Sequence, residues 1–365
     1  MTTASPNNSV QAPRHIPFDL AEDILFRLPV KQLLQLSCVC KSWNSLISHD
    51  SKFAKKHLRF SIFSHHLSLL SSREFRLWKS PISSFFSSEA AASTDSFSHP
   101  LIKHIKAYEV VSTCDGILCF RIDGSLALLC NPSIRKFNLL PPLINPYFEP
   151  AYTLVYDRFI DNYKIIALSS CCHDKNKRQV HVHTLGTKYW RKIQDFPNHY
   201  SCRVGQGIFV SDRVNWLVSD THNGLSTAIV TLDLEKESYQ ELLHPPDDEL
   251  SFPINCLGAL RDWLCIFSHS RKFCDIWVMK KYGNEDSWTK LLRVPYIGET
   301  YFCSLIQPLY IDEDNRMLMR IVNTRNSSLA VYDSKNNKTH DIQNDIPTWA
   351  VPKVYVESLI SPFRQ

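Results

Sequence analysis

Residues 17–34 read PFDLAEDILFRLPVKQLL, and the spacing of their apolar and turn-forming residues predicts two consecutive helices. Asp19 followed by Glu22 matches a capping box, which predicts a first helix that starts at Leu20. Its apolar residues recur at helical spacing and share one face: Leu20, Ile24, Leu25 and Leu28. Pro29 disfavours helical geometry in the residue before it and suits the first turn of a second helix.

Further apolar residues at helical spacing extend this pattern to residue 58. Val30, Leu33 and Leu34 predict the second helix, and Asp50 predicts the cap of a fourth helix that runs through Phe53 to His57. A third helix is predicted from Val39, Trp43, Leu46 and Ile47. Of the 44 residues from 15 to 58, 21 are apolar, which is more than so short a segment can bury within itself. The surplus face therefore packs either on the body of the same chain or on another protein.

The residues of this stretch, and the spacing between them, closely resemble the F-box in the form common in plant proteins. The resemblance implies that residues 15–58 bind a Skp-family adaptor, and through it the cullin and RING subunits of an SCF-type ubiquitin ligase. Ile16 stands where the family usually has Leu, which is a conservative change. The positions that match the family, and are therefore predicted to bind the adaptor, are Pro17, Leu20, Ile24, Leu28, Pro29, Leu33, Leu34, Val39 and Trp43. Some of these positions must form internal core, and the pattern does not separate the two groups.

The composition describes an ordinary globular protein. The chain has 365 residues, of which 44% are hydrophobic and 21% charged, and its net charge of +5 does not point to nucleic acid or membrane as a partner. The longest apolar runs, Leu126–Cys130 and Trp263–Phe267, have five residues each, too few to span a bilayer. Residues 1–14 lack the pattern of a secretory or transit peptide and predict a disordered tail. We therefore expect the 12 cysteines to be reduced thiols and the protein to be cytoplasmic, nuclear or both.

A repeat of about 50 residues runs through the rest of the chain. Short β-type runs end on prolines that lie 49 to 55 residues apart: Pro142, Pro197, Pro246, Pro295 and Pro347. Each period holds about four short strands, which is typical of a β-propeller blade, whereas strands of a β-sandwich do not normally recur in this way. Two strand-like runs, Leu58–Phe63 and Phe75–Trp78, precede the repeats, and Val354–Ile360 follows them. Pairing of these N- and C-terminal strands would close the ring and complete about six four-stranded blades.

This region is also similar to the F-box-associated domain of plant F-box proteins. The similarity is carried by Cys114–Cys119 (CDGILC), Cys130–Arg135 (CNPSIR) and Tyr355–Pro362 (YVESLISP). Such domains are called kelch-like, but this chain has only nine glycines and lacks the paired glycines of true kelch repeats. The predicted organisation is a disordered tail at 1–14, an all-α F-box at 15–58, first propeller strands and a Ser-rich loop at 59–100, and an all-β propeller at 101–365.

The patterns that usually carry catalysis or cofactor binding are missing from the sequence. It lacks a phosphate-binding glycine loop, a CxxC pair, a calcium loop and a Gly-x-Ser-x-Gly elbow, so we predict no catalytic residue, no metal and no cofactor. His181 and His183 alternate with valines on one predicted strand, and a solvated strand face is favoured there over a metal site. In three of the five periods an aromatic residue begins a strand seven positions before the proline, and these residues are interpreted as packing between blades: Trp190, Tyr239 and Trp288.

The combined prediction is a substrate-recognition subunit that holds a target protein for ubiquitylation and proteasomal degradation by proximity, without catalytic residues of its own. Target binding is predicted on the propeller face formed by the loops between blades and between second and third strands. Basic residues in those loops would suit an acidic or phosphorylated target: Lys175, Arg178, Arg271, Lys272 and Arg325. The alternatives are a propeller enzyme with an unrelated helical N-terminus and a non-degradative adaptor-binding protein. The identity of the target does not follow from the residues.

Overall fold

The structure, a computed structural model, contains four N-terminal helices followed by a β-propeller. It describes residues 17–61, 65–70, 76–86, 93–96, 108–122, 124–143, 149–170, 177–197, 206–219, 227–245, 254–270, 272–296, 305–322, 327–342 and 352–363. The first four helices are α1 (Phe18–Leu25), α2 (Val30–Leu36), α3 (Lys41–His49) and α4 (Ser51–Ser61). We refer to residues 17–61 as the helical module.

The helix boundaries confirm part of the prediction and correct the rest. Asp50 caps α4 as predicted, because its Oδ1 accepts hydrogen bonds from the backbone N–H groups of Lys52 (2.8 Å) and Phe53 (3.0 Å). The capping box at Asp19 is wrong: α1 starts two residues earlier, with Pro17 at the N-cap and no side-chain cap. Proline has no side-chain acceptor, so the first backbone N–H groups of α1 receive no side-chain cap from this position.

Two further predictions around these helices are corrected. Helix α3 starts at Lys41, so Val39 lies in the turn before it and not on its face. The predicted strand Leu58–Phe63 is also wrong, since residues up to Ser61 continue α4. The helical period is retained there because Phe53, Ala54 and His57 all face the core at spacings of one, three and four residues.

The described strands form six four-stranded antiparallel sheets. Five of them use consecutive strands and are propeller blades, in which the first strand is innermost and the fourth outermost. The first is β4 (Tyr108–Cys114), β5 (Ile117–Ile122), β6 (Leu126–Asn131) and β7 (Lys136–Leu139). The second is β8 (Ala151–Asp157), β9 (Asn162–Ser170), β10 (Arg178–Thr184) and β11 (Arg191–Lys192). The third is β12 (Ile208–Val210), β13 (Arg213–Ser219), β14 (Thr227–Asp233) and β15 (Tyr239–Leu242).

The last two consecutive blades complete this series. One is β16 (Ile254–Leu260), β17 (Trp263–His269), β18 (Phe273–Met279) and β19 (Trp288–Pro295), with a short 3-10 helix at Glu285–Ser287 before β19. The other is β20 (Leu305–Ile311), β21 (Arg316–Val322), β22 (Ser327–Asp333) and β23 (Lys338–Ile342). The central strands of a blade are covered by neighbouring blades on both sides, which explains why the two longest apolar runs of the sequence lie in β6 and β17.

The sixth sheet combines strands from both ends of the chain, in the order β24-β1-β2-β3. Its strands are β1 (His65–Leu70), β2 (Arg76–Pro81), β3 (Ser93–Ser96) and β24 (Lys353–Val356). The predicted pairing between N- and C-terminal strands is present, with His66 opposite Tyr355 in the β1–β24 register. The region predicted as a Ser-rich loop instead contains β3 and a short helix, α5 (Ile82–Phe86), which packs on Leu318, Leu329 and Val331.

The innermost strands contact each other in the cyclic order β24, β4, β8, β12, β16, β20 and back to β24. Because the strands of each sheet are antiparallel, the ring has two distinct faces. Turns between first and second strands and between third and fourth strands share one face, represented by residues 115–116, 132–135 and 158–161. We call this the helix-bearing face. The opposite face, where second strands connect to third strands and successive blades connect, is the loop face.

Candidate functional site

The helical module packs on the helix-bearing face of the propeller. Lys55 on α4 forms an ion pair with Asp161 in the β8–β9 turn at 2.5 Å, and its ammonium lies 5.8 Å from the centroid of the Tyr156 ring. Lys55, as a hydrogen-bond donor to Asp161, lowers the pKa of that carboxyl, and Tyr156 adds to the effect. One apolar cluster is continuous from Leu33 of the module to Ile360 beside the first blade. The expectation that the helices pack on their own chain is therefore confirmed for one side of the module.

The core of the helical module separates the nine predicted adaptor-binding residues into two groups. Leu33 is fully buried, and Leu28, Leu34 and Trp43 are half-buried against the same cluster. His57 fixes the end of the α1–α2 connection, because its Nε2 lies 2.8 Å from the Leu28 carbonyl oxygen, and its burial lowers its pKa. Leu33 and the three half-buried residues, four of the nine predicted positions, therefore belong to the core of the module.

The other five predicted residues lie on the surface. Leu20 is 56% exposed, Ile24 54% and Val39 65%, and the two prolines, Pro17 and Pro29, are exposed beside them in sequence. Leu20 and Ile24 are four residues apart on α1 and so share one face of that helix. Among the described residues, 11 large hydrophobic side chains are exposed, and four of them (these three and Phe60) lie in the helical module. Such a concentration of exposed apolar side chains is typical of a protein-binding surface.

Residues 358–362, which we call the C-terminal segment, are held against the first blade by hydrogen bonds that the sequence pattern did not predict. Ser358 donates its hydroxyl to the Asp115 carbonyl oxygen at 2.6 Å. Asn131 donates its side-chain amide to the carbonyl oxygens of Ser358 (3.0 Å) and Ile360 (2.7 Å). Asn138 donates to the carbonyl oxygen of Pro362 at 2.7 Å. The three motifs that carried the resemblance to the F-box-associated domain therefore meet at one place, where they hold the end of the chain against β4–β7.

Aromatic residues at or directly before the start of three outer strands link their blades to the preceding ones. Trp190 donates its indole N–H to the Pro141 carbonyl oxygen at 2.8 Å. Tyr239 and Trp288 make the equivalent bonds to the carbonyl oxygens of Gln194 and Leu243, each at 3.0 Å. This confirms that the periodic aromatic residues pack between blades.

One of the two histidines on β10 is a packing site. His183 is buried, with its ring 5.2 Å from that of Trp190 and its Nδ1 3.1 Å from the Tyr189 carbonyl oxygen. The prediction of a solvated strand face is therefore wrong for His183, because the Trp190 ring packs against it. Within the part of the chain that the structure describes, no group of three or more His, Cys, Asp or Glu side chains could hold a metal ion.

The five basic residues predicted to bind a target remain a prediction. Lys175, Arg271 and Arg325 lie outside the described residues. Arg178 is the first residue of β10 and is half-buried, and Lys272 is exposed directly before β18. Both lie at the loop face. None of the helices that the structure describes is both long and apolar enough to cross a membrane.

Comparison with known proteins agrees with this architecture. The family model of the F-box domain matches residues 14–55, and that of the F-box associated beta propeller domain matches residues 62–362. The F-box/kelch-repeat protein At3g23880 of Arabidopsis thaliana is 30% identical over 96% of this chain and 97% of its own length. The F-box protein CPR1 of the same plant is 25% identical over 94% of this chain and 88% of its own length.

Among solved structures, a putative TolB from Agrobacterium tumefaciens aligns with 81% of this chain and 98% of its own, at 6% identity and a TM-score of 0.46. The two family matches together extend from the helical module to the end of the propeller. In general terms, an F-box followed by a propeller supports a role in substrate recognition with a Skp-family adaptor as partner. The chain therefore belongs to the plant F-box proteins that carry a C-terminal F-box-associated β-propeller domain.

Proposed function

We propose that this chain is the non-catalytic substrate-recognition subunit of an SCF-type ubiquitin ligase. The observation that carries the proposal is the two-sided helical module. Part of the module is buried against the propeller, while Leu20, Ile24 and Val39 remain exposed. An exposed apolar surface on a rigidly mounted module fits a partner protein, and the F-box match identifies that partner as a Skp-family adaptor.

The adaptor interface consists of the five exposed positions, and the remaining four predicted positions support it. Pro17, Leu20, Ile24, Pro29 and Val39 make the contacts. Leu28, Leu33, Leu34 and Trp43 hold α1 to α3 in place. Cullin and RING subunits join through the adaptor and not through this chain.

The target protein binds the loop face. The helical module occupies the helix-bearing face through Lys55 and Asp161, so an adaptor and a target bound on opposite faces would not compete for the same surface. Ubiquitin transfer then follows from proximity to a conjugating enzyme, which requires no catalytic residue here. Such an assembly would work in the cytoplasm, the nucleus or both.

We propose that the propeller has six blades. The composite sheet β24-β1-β2-β3 serves as the sixth, and the contacts of β24 with β4 and β20 support that assignment. A ring closed in this way leaves no open sheet edge at the junction of its two ends, which keeps the loop face rigid enough to present a binding surface.

Co-purification with a Skp-family adaptor tests the proposal. The full chain is compared with the double variant Leu20→Asp/Ile24→Asp and with Leu243→Asp, a matched control because Leu243 is an equally apolar exposed residue on the propeller. Charging two interface anchors is expected to weaken adaptor binding by at least about 30-fold, since the loss of even one hot-spot residue costs about 2 kcal/mol. The control variant should bind like the wild type.

Circular dichroism and thermal unfolding show whether the double variant remains folded. A folded double variant with wild-type affinity for the adaptor would refute the proposed interface. A second assay, with cullin, RING protein, conjugating enzyme and a candidate target, distinguishes a degradative subunit from one that only binds the adaptor, because the latter would leave the target without ubiquitin.

A further inference from the structure

A lysine side chain reaches across the central channel of the propeller at the loop face. Lys353 is the first residue of β24, the innermost strand of the composite sheet. Its Nζ lies 3.3 Å from Oε1 of Gln206, two residues before the innermost strand β12. In the cyclic order of inner strands, β24 and β12 are three positions apart in either direction, so they face each other across the ring. The Lys353–Gln206 hydrogen bond therefore spans the channel.

The ends of the neighbouring elements place this contact at the loop face. Chain direction reverses between adjacent strands. Glu357, which follows β24, lines a pocket of about 350 Å³ with residues of α2 and of the β6–β7 turn, so the end of β24 lies at the helix-bearing face. The start of β24 consequently lies at the opposite end of the channel. Glu109 at the start of β4 and Arg320 near the end of β21 lie at the same end.

The ammonium of Lys353 bonds to a neutral side chain and not to a carboxylate. Among the described residues, Lys353 forms no ion pair, and its hydrogen-bond partner is the neutral amide of Gln206. Burial lowers the pKa of Lys353, nearby Glu109 raises it and nearby Arg320 lowers it. Glu109 is engaged elsewhere, since Arg121 donates to its carboxylate at 2.8 Å. Arg320 adds a second, almost fully buried positive charge.

We propose that the central channel at the loop face receives an anionic side chain of the target protein, with Lys353 as its ionic partner. The shared chemistry is a carboxylate or a phosphate, and the inference rests on the proposed target-recognition function. An anion here would form a charge-assisted hydrogen bond in a site partly removed from water, where such bonds are stronger than on an open surface. With Oε1 of Gln206 accepting from Lys353, the amide nitrogen of Gln206 supplies further N–H donors beside the ammonium.

A purely structural role for Lys353 makes a different prediction. A partly buried ammonium without a carboxylate partner contributes little net stability, and an apolar residue of similar length commonly replaces such a group without loss. The variant Lys353→Met should therefore keep the melting temperature of the wild type or raise it. Loss of anion binding by a variant that is equally stable would assign Lys353 to recognition.

The test uses the full chain co-purified with a Skp-family adaptor and four synthetic libraries of 12-residue peptides. Each library has random flanks and one fixed central residue, which is glutamate, phosphoserine, glutamine or serine. We expect enrichment from the glutamate or the phosphoserine library over its neutral counterpart, and the comparison of the two anionic libraries tells which anion is preferred. Fluorescence anisotropy then gives the affinity of a selected peptide.

The variants complete the experiment. Lys353→Met should weaken binding of the selected peptide about tenfold or more, and Lys353→Arg should retain part of it, because a cation is kept in place. Lys236→Met is the matched control, since Lys236 is an exposed lysine in the β14–β15 turn on the helix-bearing face. It should bind like the wild type.

Two results would overturn the inference: equal selection from anionic and neutral libraries by the wild type, or wild-type affinity in a folded Lys353→Met. The first does not depend on any variant being folded. Because the adaptor is retained in the same preparation, failure of anion selection with adaptor still bound overturns only the channel site. Failure to bind the adaptor in the first place overturns the proposed function.

Discussion

Asn131 on β6 donates its side-chain amide to the carbonyl oxygen of Ile360, 229 residues later in the chain, at 2.7 Å. The same nitrogen lies 3.0 Å from the Ser358 carbonyl oxygen, while Oδ1 accepts from the backbone N–H of Ser133 at 2.9 Å. Both ends of this fully buried amide are therefore used, one to form the β6–β7 turn and the other to hold the C-terminal segment. The amide cannot be exchanged for an acceptor-only group without leaving buried carbonyl oxygens unpaired.

Replacement of Asn131 by aspartate should consequently destabilise the propeller. The carboxylate is the same size but places a negative charge against the carbonyl oxygens of Ser358 and Ile360. We expect the free energy of unfolding to fall by about 3 kcal/mol or more, as measured by urea denaturation. Asn138→Asp is the control: Asn138 donates to Pro362 from a half-buried site, so its loss should be smaller. Equal effects of the two variants would contradict the assigned role of Asn131.

The Asp115–Gly116 turn gives a second prediction at the same junction. Gly116 has φ of +80°, and a Cβ there would lie 2.5 Å from the Val356 carbonyl oxygen and against Ser358 Oγ. Gly124 has a similar φ of +77° but has no atom within 4 Å of the same position. Gly124→Ala should therefore cost about 1 kcal/mol of backbone strain alone. Gly116→Ala should cost about 2 kcal/mol more, since the C-terminal segment must also shift.

Thermal unfolding of both glycine variants measures this difference. The comparison isolates the steric contact because the backbone strain is common to the two positions. If Gly116→Ala were no less stable than Gly124→Ala, the C-terminal segment would not be held against this turn.

Leu33 and Leu20 should respond differently to the same substitution. Leu33 is fully buried in the helical module, so Leu33→Asp is expected to unfold the module, at a cost of about 3 kcal/mol or more. Leu20 is exposed, so Leu20→Asp should change the free energy of unfolding by about 0.5 kcal/mol or less. Hydrogen exchange of residues 17–61 reports module stability separately from the propeller. Both variants should lose adaptor binding, but only Leu33→Asp should lose exchange protection.

His269 on β17 should make stability depend on pH. Burial lowers its pKa from the ordinary 6.5 to about 4, and its Nδ1 lies 2.6 Å from the Tyr296 hydroxyl. The unfolded chain binds a proton near pH 6.5 but the folded chain only near pH 4, so acidification favours unfolding between these values. The stabilisation is present above pH 6.5 and is lost as pH falls through 4. At 1.36 kcal/mol for each pKa unit, the loss amounts to about 3 kcal/mol.

Urea denaturation of the wild type and of His269→Gln at pH 7, 6, 5 and 4 checks this expectation. Other histidines with lowered pKa contribute to both curves, so the difference between the curves isolates His269. The difference should shrink by about 3 kcal/mol between pH 7 and pH 4. Parallel curves would show that His269 is accessible to protons in the folded protein.

Local spacing was sufficient to predict much of this fold. The helical repeat of apolar residues and the breaks at prolines predicted α2, and Asp50 predicted the start of α4. A fixed period of four short strands predicted the propeller, because each blade is a complete unit that packs on similar units. The pairing of β1 with β24 followed from the need to close such a ring.

Other features depend on contacts between residues far apart in sequence and could not be predicted from spacing. Leu33 and Ile24 lie on neighbouring amphipathic helices with similar patterns, yet one is buried and the other exposed, since burial depends on how the module packs on the propeller. The hydrogen bonds between Asn131 and Ser358 could likewise not be predicted, because their motifs are separated by more than 200 residues. The Lys353–Gln206 contact across the ring required the cyclic order of the inner strands.

The long distance in sequence between β1 and β24 has a consequence for biosynthesis. The ribosome synthesises β1 and Asn131 more than 200 residues before residues 353–360, so β1 lacks its second neighbouring strand and Asn131 its carbonyl acceptors until those residues are made. A chain interrupted before β24 would therefore carry the helical module on a ring that lacks one inner strand. Under the proposed function, such a product would bind the adaptor without presenting a target, so target recognition depends on synthesis that continues through β24.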